Sequence, residues 1–113
     1  MEILKDGRVD ELRMSADRGD QNVSIVHGRD EPVQRFSTTL TSGRTCTIQN
    51  LDHQGQTPRR SASFRIVRPA GGGVNLTVQD STPTTIKALA AGQWCDVGLT
   101  DAGAWILTAF GSL

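Results

Sequence analysis

The chain has 113 residues, enough for one domain that buries roughly two thirds of the surface its unfolded form exposes. Its 12 basic and 12 acidic residues cancel, so no sequence-wide field draws it onto nucleic acid or an anionic membrane. Two cysteines, Cys46 and Cys95, are too few for a disulfide framework, and neither has a second Cys or His at metal-ligand spacing, so they read as reduced core thiols.

The first 32 residues follow no single hydrophobic period. The start, MEILKDGRVDEL, lacks the apolar stretch of a secretion signal, and no run approaches the ~20 apolar residues that span a bilayer, which points to a soluble protein made in a cytoplasm. Ile3, Leu4, Val9, Leu12 and Met14 stand as scattered anchors between polar runs, NVSIV has the look of a strand, and Pro32 separates the region from the rest of the chain. Anchors without a pattern of their own suit a segment that orders against a partner, so residues 1–32 are expected to be an extended N-terminal arm and residues 33–113 a β-domain.

From Phe36 onward, short alternating runs are broken by turn signals at regular intervals, the pattern of an all-β fold: a compact antiparallel β-sandwich or small β-barrel. FSTTL (Phe36–Leu40) and TCTIQNL are expected to form a hairpin through Ser42 and Gly43. The polar stretch from Asp52 to Arg60 is a loop. In SASFRIVRP, Ala62, Phe64 and Ile66 alternate until Pro69, which cannot donate to a ladder. Gly71, Gly72 and Gly73 then turn the chain into a strand with Leu76 and Val78 on one face, expected to pair antiparallel with its predecessor. Residues 86–90 fit a short strand or a helical turn equally. At the C-terminus Cys95, Val97 and Leu99 share a face, Thr100–Gly103 supplies a turn, and Trp105, Leu107 and Ala109 alternate back, giving a terminal hairpin. Trp94 and Trp105 fall at opposite ends of that ladder. The expected core is Phe64, Ile66, Leu76, Trp94, Val97, Trp105 and Leu107, with an exposed indole gripping a sugar ring as the alternative for either tryptophan.

Residues that carry chemistry are sparse. His27 and His53 lie in polar surroundings away from both cysteines, Asp52-His53 has no companion ligand at a recurrent spacing, and GGG lacks the GK[ST] ending of a phosphate loop. Arg18-Gly19-Asp20 spells an adhesion tripeptide but reads as a polar turn, and Asp10-Glu11 and Asp30-Glu31 read as solvated pairs. Arg59, Arg60, Arg65 and Arg68 form a basic stretch without interleaved aromatics, better suited to an acidic protein surface than to stacked bases. These residues predict no enzyme, metal or cofactor.

The run from Phe64 to Leu113 nonetheless resembles a structural domain of tailed-bacteriophage virion proteins. The likeness rests on FRIVRPAGGGVNLTV followed by LAAGQWCDVGLTDAGAWILTAFGSL, through the order and spacing of Phe64, Gly92, Trp94, Val97, Trp105, Leu107 and Gly111. It covers somewhat under half of the chain. It implies a β-rich structural module with no catalytic residue, and the short chain with its arm favours the head over the tail. The resemblance therefore implies a capsid decoration, or cement, protein: commonly a homotrimer, located on the virion surface, stabilising the head by binding outside the major capsid protein lattice. Ile3, Leu4, Val9, Leu12 and Met14 would then contact the capsid or a neighbouring subunit. The rival expectation is a head- or tail-fibre domain that binds a host surface glycan.

Overall fold

The computed structural model describes residues 15–58 and 62–113. Those residues form an all-β protein of nine strands, without a helix among them. β1 (Ser15–Asp17), β3 (Val33–Arg35), β5 (Ser63–Arg68), β8 (Gln93–Leu99) and β9 (Trp105–Ser112) make a first sheet in that order. β2 (Val23–Ile25), β4 (Arg44–Ile48), β6 (Leu76–Asp80) and β7 (Thr85–Leu89) make a second. Both are mixed, and neither closes into a barrel.

The first six strands alternate between the sheets, and from β3 on each of them pairs parallel with the strand two before it. Parallel neighbours cannot be joined by a tight turn. Here the connection between them is a strand of the opposite sheet, so the chain winds as a coil of three turns. Corners carry side-chain staples from one turn to the next: Asp17 accepts from Ser37, Asp20 from Arg44 Nε at 2.9 Å and the Thr41 hydroxyl at 2.7 Å, and Asn22 Oδ1 from the Thr45 amide at 3.0 Å. After β6 the pairing reverses. β7 returns antiparallel on β6, β8 on β5 and β9 on β8.

Inward-pointing residues of both sheets share one core, with Phe64, Ile66, Val97 and Trp105 from the first and Ile25, Cys46, Leu76 and Val78 from the second. Arg68 joins them. It follows Phe64 and Ile66 on the inner side of β5, is fully buried, and its guanidinium donates to the carbonyls of Leu89 at 2.7 Å and Gly72 at 3.4 Å, bridging the two sheets. Burial alone lowers its pKa.

Several expectations are corrected. The sheets are not antiparallel throughout, because period-2 alternation fixes a face and leaves the partner open. Phe36 and Leu40 are buried, but Thr38 between them is exposed and the segment is a corner, not a strand. It stacks on the next turn through Phe36 N–H to Val67 O at 2.9 Å and Leu40 N–H to Gly71 O at 3.4 Å. Gly71–Gly73 likewise crosses between sheets: at Gly72, with φ of 129°, a Cβ would come within 2.8 Å of Leu40 O. β5 and β6 therefore do not pair with each other. Residues 85–89 resolve as a strand. Of the segment read as an arm, residues 15–32 carry β1 and β2, with Val23 and Ile25 in the core, while Ile3, Leu4, Val9, Leu12 and Met14 lie outside the described residues.

Asp20 links coil integrity to pH. Hydrogen bonds from Arg44 first, then Thr41, hold its carboxyl at about 2, below the ordinary 3.8. A lowered folded-state pKa contributes stability that is fully present above the ordinary value and lost as pH falls through the folded one. Urea unfolding should find Asp20→Asn less stable than wild type near neutral pH, with the gap closing from pH 3.8 to about 2. A gap independent of pH would remove Asp20 as the titrating staple.

Candidate functional site

The outer face of the first sheet is built by three adjacent strands. On β5, Ser63, Arg65 and Val67 point away from the core; on β8, register sets Gly98, Asp96 and Trp94 beside them. Arg65 Nε and Nη2 donate to the two oxygens of Asp96 at 2.7 and 2.9 Å, a two-pronged pair that raises the Arg65 pKa. The same guanidinium lies 4.7 Å from the centroid of the Trp94 ring. Against the indole stands Gly111 of β9, where a Cβ would come within 3.0 Å of Nε1 and 3.2 Å of Cε2 and Cζ2. Trp94 is thus half-buried between an arginine and a glycine on the outside of the sheet.

A shallow cavity of about 400 Å³ adjoins the pair, lined by Pro32, Val33, Ser63, Phe64, Arg65, Asp96 and Thr108. Thr108 reaches it through a β-bulge. Asp96 pairs with Ala109 and Val97 with Leu107, so Thr108 is an extra residue in β9, and its hydroxyl donates to Asp96 O at 3.2 Å. The bulge puts Thr108 and Ala109 on the same outer side. Phe110, beside Cys95, then falls on the inner side, where the Lys87 ammonium sits 4.3 Å from its ring. Ile106 and Phe110 of this strand, and Leu113 just after it, stay exposed.

Of the predicted core, Phe64, Ile66, Leu76, Val97 and Trp105 are buried and Leu107 is partly so. Trp105 packs on Phe64 with ring centroids 5.6 Å apart and donates its indole N–H to Gln49 O at 3.1 Å. Trp94 is not in the core. It alternates with Cys95, Val97 and Leu99, whose side faces inward. The basic stretch also splits: Arg65 is paired outside, Arg68 is inside, and Arg59 and Arg60 lie outside the described residues.

The remaining reactive groups have structural surroundings. Burial pushes the thiols of Cys46 and Cys95 up to about 12, which keeps them protonated and non-nucleophilic at neutral pH. His27 meets Phe64 edge-on at 6.3 Å, and its carbonyl accepts from the His53 amide at 3.1 Å. Asp52 accepts from the amides of Gln54 and Gln56, which shapes its loop. Asp30 is tied to the Val26 amide and Arg29. Among the described residues no group of three His, Cys, Asp or Glu side chains is placed to hold a metal. The outer face thus combines a fixed ion pair, a clamped indole and an uncharged edge strand.

No known protein family, curated protein or solved structure matches the chain.

Gly111→Ala tests the clamp. Its Cβ must displace the indole or shift β9, at a cost of ~1–3 kcal/mol in denaturant unfolding. The emission of Trp94 should shift with it. An alanine variant with unchanged stability and spectrum would show that the ring does not need the glycine.

Proposed function

We infer that this protein is a structural component of a tailed-bacteriophage virion, a capsid decoration protein that binds the outside of the major capsid protein lattice and stabilises the head. The observation that carries this reading is the C-terminal run that resembles such proteins. Its residues serve scaffolding: Gly92 turns the chain at φ of 79°, Trp94 lies on Gly111, and Trp105 with Val97 fills the core. A sandwich-like body of this kind offers contact area, and a contact repeated over a lattice gains affinity through effective concentration. In this reading Ile3, Leu4, Val9, Leu12 and Met14 grip the capsid or a neighbouring subunit.

A second reading, a fibre domain for a host glycan, draws on half-exposed Trp94 beside the Arg65–Asp96 pair. It is the weaker of the two. Sugar rings stack on a free aromatic face, and this indole is already flanked by Arg65 and Gly111.

Purified protein mixed with procapsids and expanded heads of the encoding phage should co-sediment with expanded heads and appear on their outer surface by cryo-electron microscopy. Host polysaccharide should leave the tryptophan emission unchanged. Density only on tails, or a saturable polysaccharide-induced shift with no head binding, would replace the capsid reading with the fibre one.

A further inference from the structure

β9 is an edge strand, and one of its sides is unused. Eight residues run along the border of the first sheet, about 27 Å at ~3.4 Å per residue, with β8 as their only ladder partner among the described residues. Edge strands are usually protected by charge, proline or brevity. This one has none of these. Residues 105–113 hold no charged side chain and no proline, and Ile106, Phe110 and Leu113 are exposed at 48%, 60% and 68%. Alongside runs a cleft of about 330 Å³ lined by Leu107, Thr108, Ala109 and Phe110.

The bulge would ordinarily discourage pairing, yet here it gives the strand a symmetry. From Trp105 to Ser112 the side chains point in, out, in, out, then out, in, out, in, because Thr108 and Ala109 share the outer side. The order reads the same from both ends. Laid antiparallel against itself about the midpoint between Thr108 and Ala109, the strand sets Ile106 beside Gly111, Leu107 beside Phe110 and Trp105 beside Ser112. Each pair lies on one face, as cross-strand neighbours must. Two of the four pairs set a large side chain beside a small one, Leu107 with Phe110 joins two apolar residues, and at the axis the small Thr108 meets Ala109. The uncharged edge opposes no like charges when it meets its own copy.

We propose that the free edge of β9 joins two copies of this chain antiparallel about a two-fold axis between Thr108 and Ala109, making one continuous ten-stranded sheet from two five-stranded ones. The contact is isologous: the same patch serves both subunits and closes the assembly at two. It differs from the trimer that the phage resemblance implies, and it is independent of what surface the protein binds, so it stands or falls separately from the capsid reading.

Light scattering coupled to size exclusion, run on the full chain over a range of micromolar concentrations, should give twice the 12.2 kDa chain mass. Thr108→Lys places two ammonium groups near the axis and should halve the mass with unchanged far-UV dichroism. Ser63→Lys, exposed on the same face but on β5, should leave the pair intact. Thr108→Cys should cross-link between subunits on mild oxidation, with buried Cys46 and Cys95 uninvolved. A wild-type monomer at every concentration, a trimer, or a dimer that Thr108→Lys does not dissociate would each overturn the proposal.

Discussion

A parallel coil cannot end on itself. After the third turn, β5 and β6 each present a row of backbone N–H and C=O groups with no fourth turn to receive them, and a buried group left unpaired costs on the order of 1–3 kcal/mol. The chain meets this by reversing direction, laying β7 on β6 and β8 on β5. β5 is the strand on which the change turns, parallel to β3 along one edge and antiparallel to β8 along the other. Its register with β8 places everything outside it. Arg65 faces Asp96 and Val67 faces Trp94 only in this alignment, and a slip of one residue would carry Trp94 inward and Cys95 outward.

What can be read from the sequence is local. The terminal hairpin is written in contiguous residues, with Cys95, Val97 and Leu99 on one side, a turn at Thr100–Gly103, and Trp105 and Leu107 returning. The inward faces of β5 and β6 are legible for the same reason. Strand partners are not, since alternation is silent about which neighbour a strand meets. The coil is held by ladders between residues 18 to 32 apart and by staples such as Asp17 with Ser37 and Ser24 with Gln49, which no local pattern announces. A strand as short as β1 carries too little period to be seen, whereas NVSIV, with Val23 and Ile25 on one side, does show β2.

At two positions size and charge conceal a signal that the sequence does carry. A large aromatic such as Trp94 suggests the core, although Cys95, Val97 and Leu99 already claim the inner side of β8 and leave it the outer one. Arg68 groups by charge with surface arginines, although it continues the inward series of Phe64 and Ile66. Parity outranks residue type at both positions. A buried guanidinium is tolerable because two carbonyls accept from it, Gly72 in the turn just after β5 and Leu89 at the end of β7 in the opposite sheet.

The outer surfaces of the two sheets are chemically settled in a way that the β9 edge is not. On the second sheet, polar rungs satisfy one another, as where Gln79 donates to the Thr47 hydroxyl at 3.0 Å. On the first, Arg65 and Asp96 pair through both carboxylate oxygens, and the indole is flanked by Arg65 and Gly111. An ion pair this exposed adds little to stability, so its effect is better sought in position. Asp96 holds Arg65 against Trp94, Trp94 lies on Gly111, and the carbonyl of Asp96 accepts from Thr108 on the bulge. These contacts tie β9 to β5 through β8 at both halves of its length. The longest edge strand among the described residues is thereby also held in a defined shape.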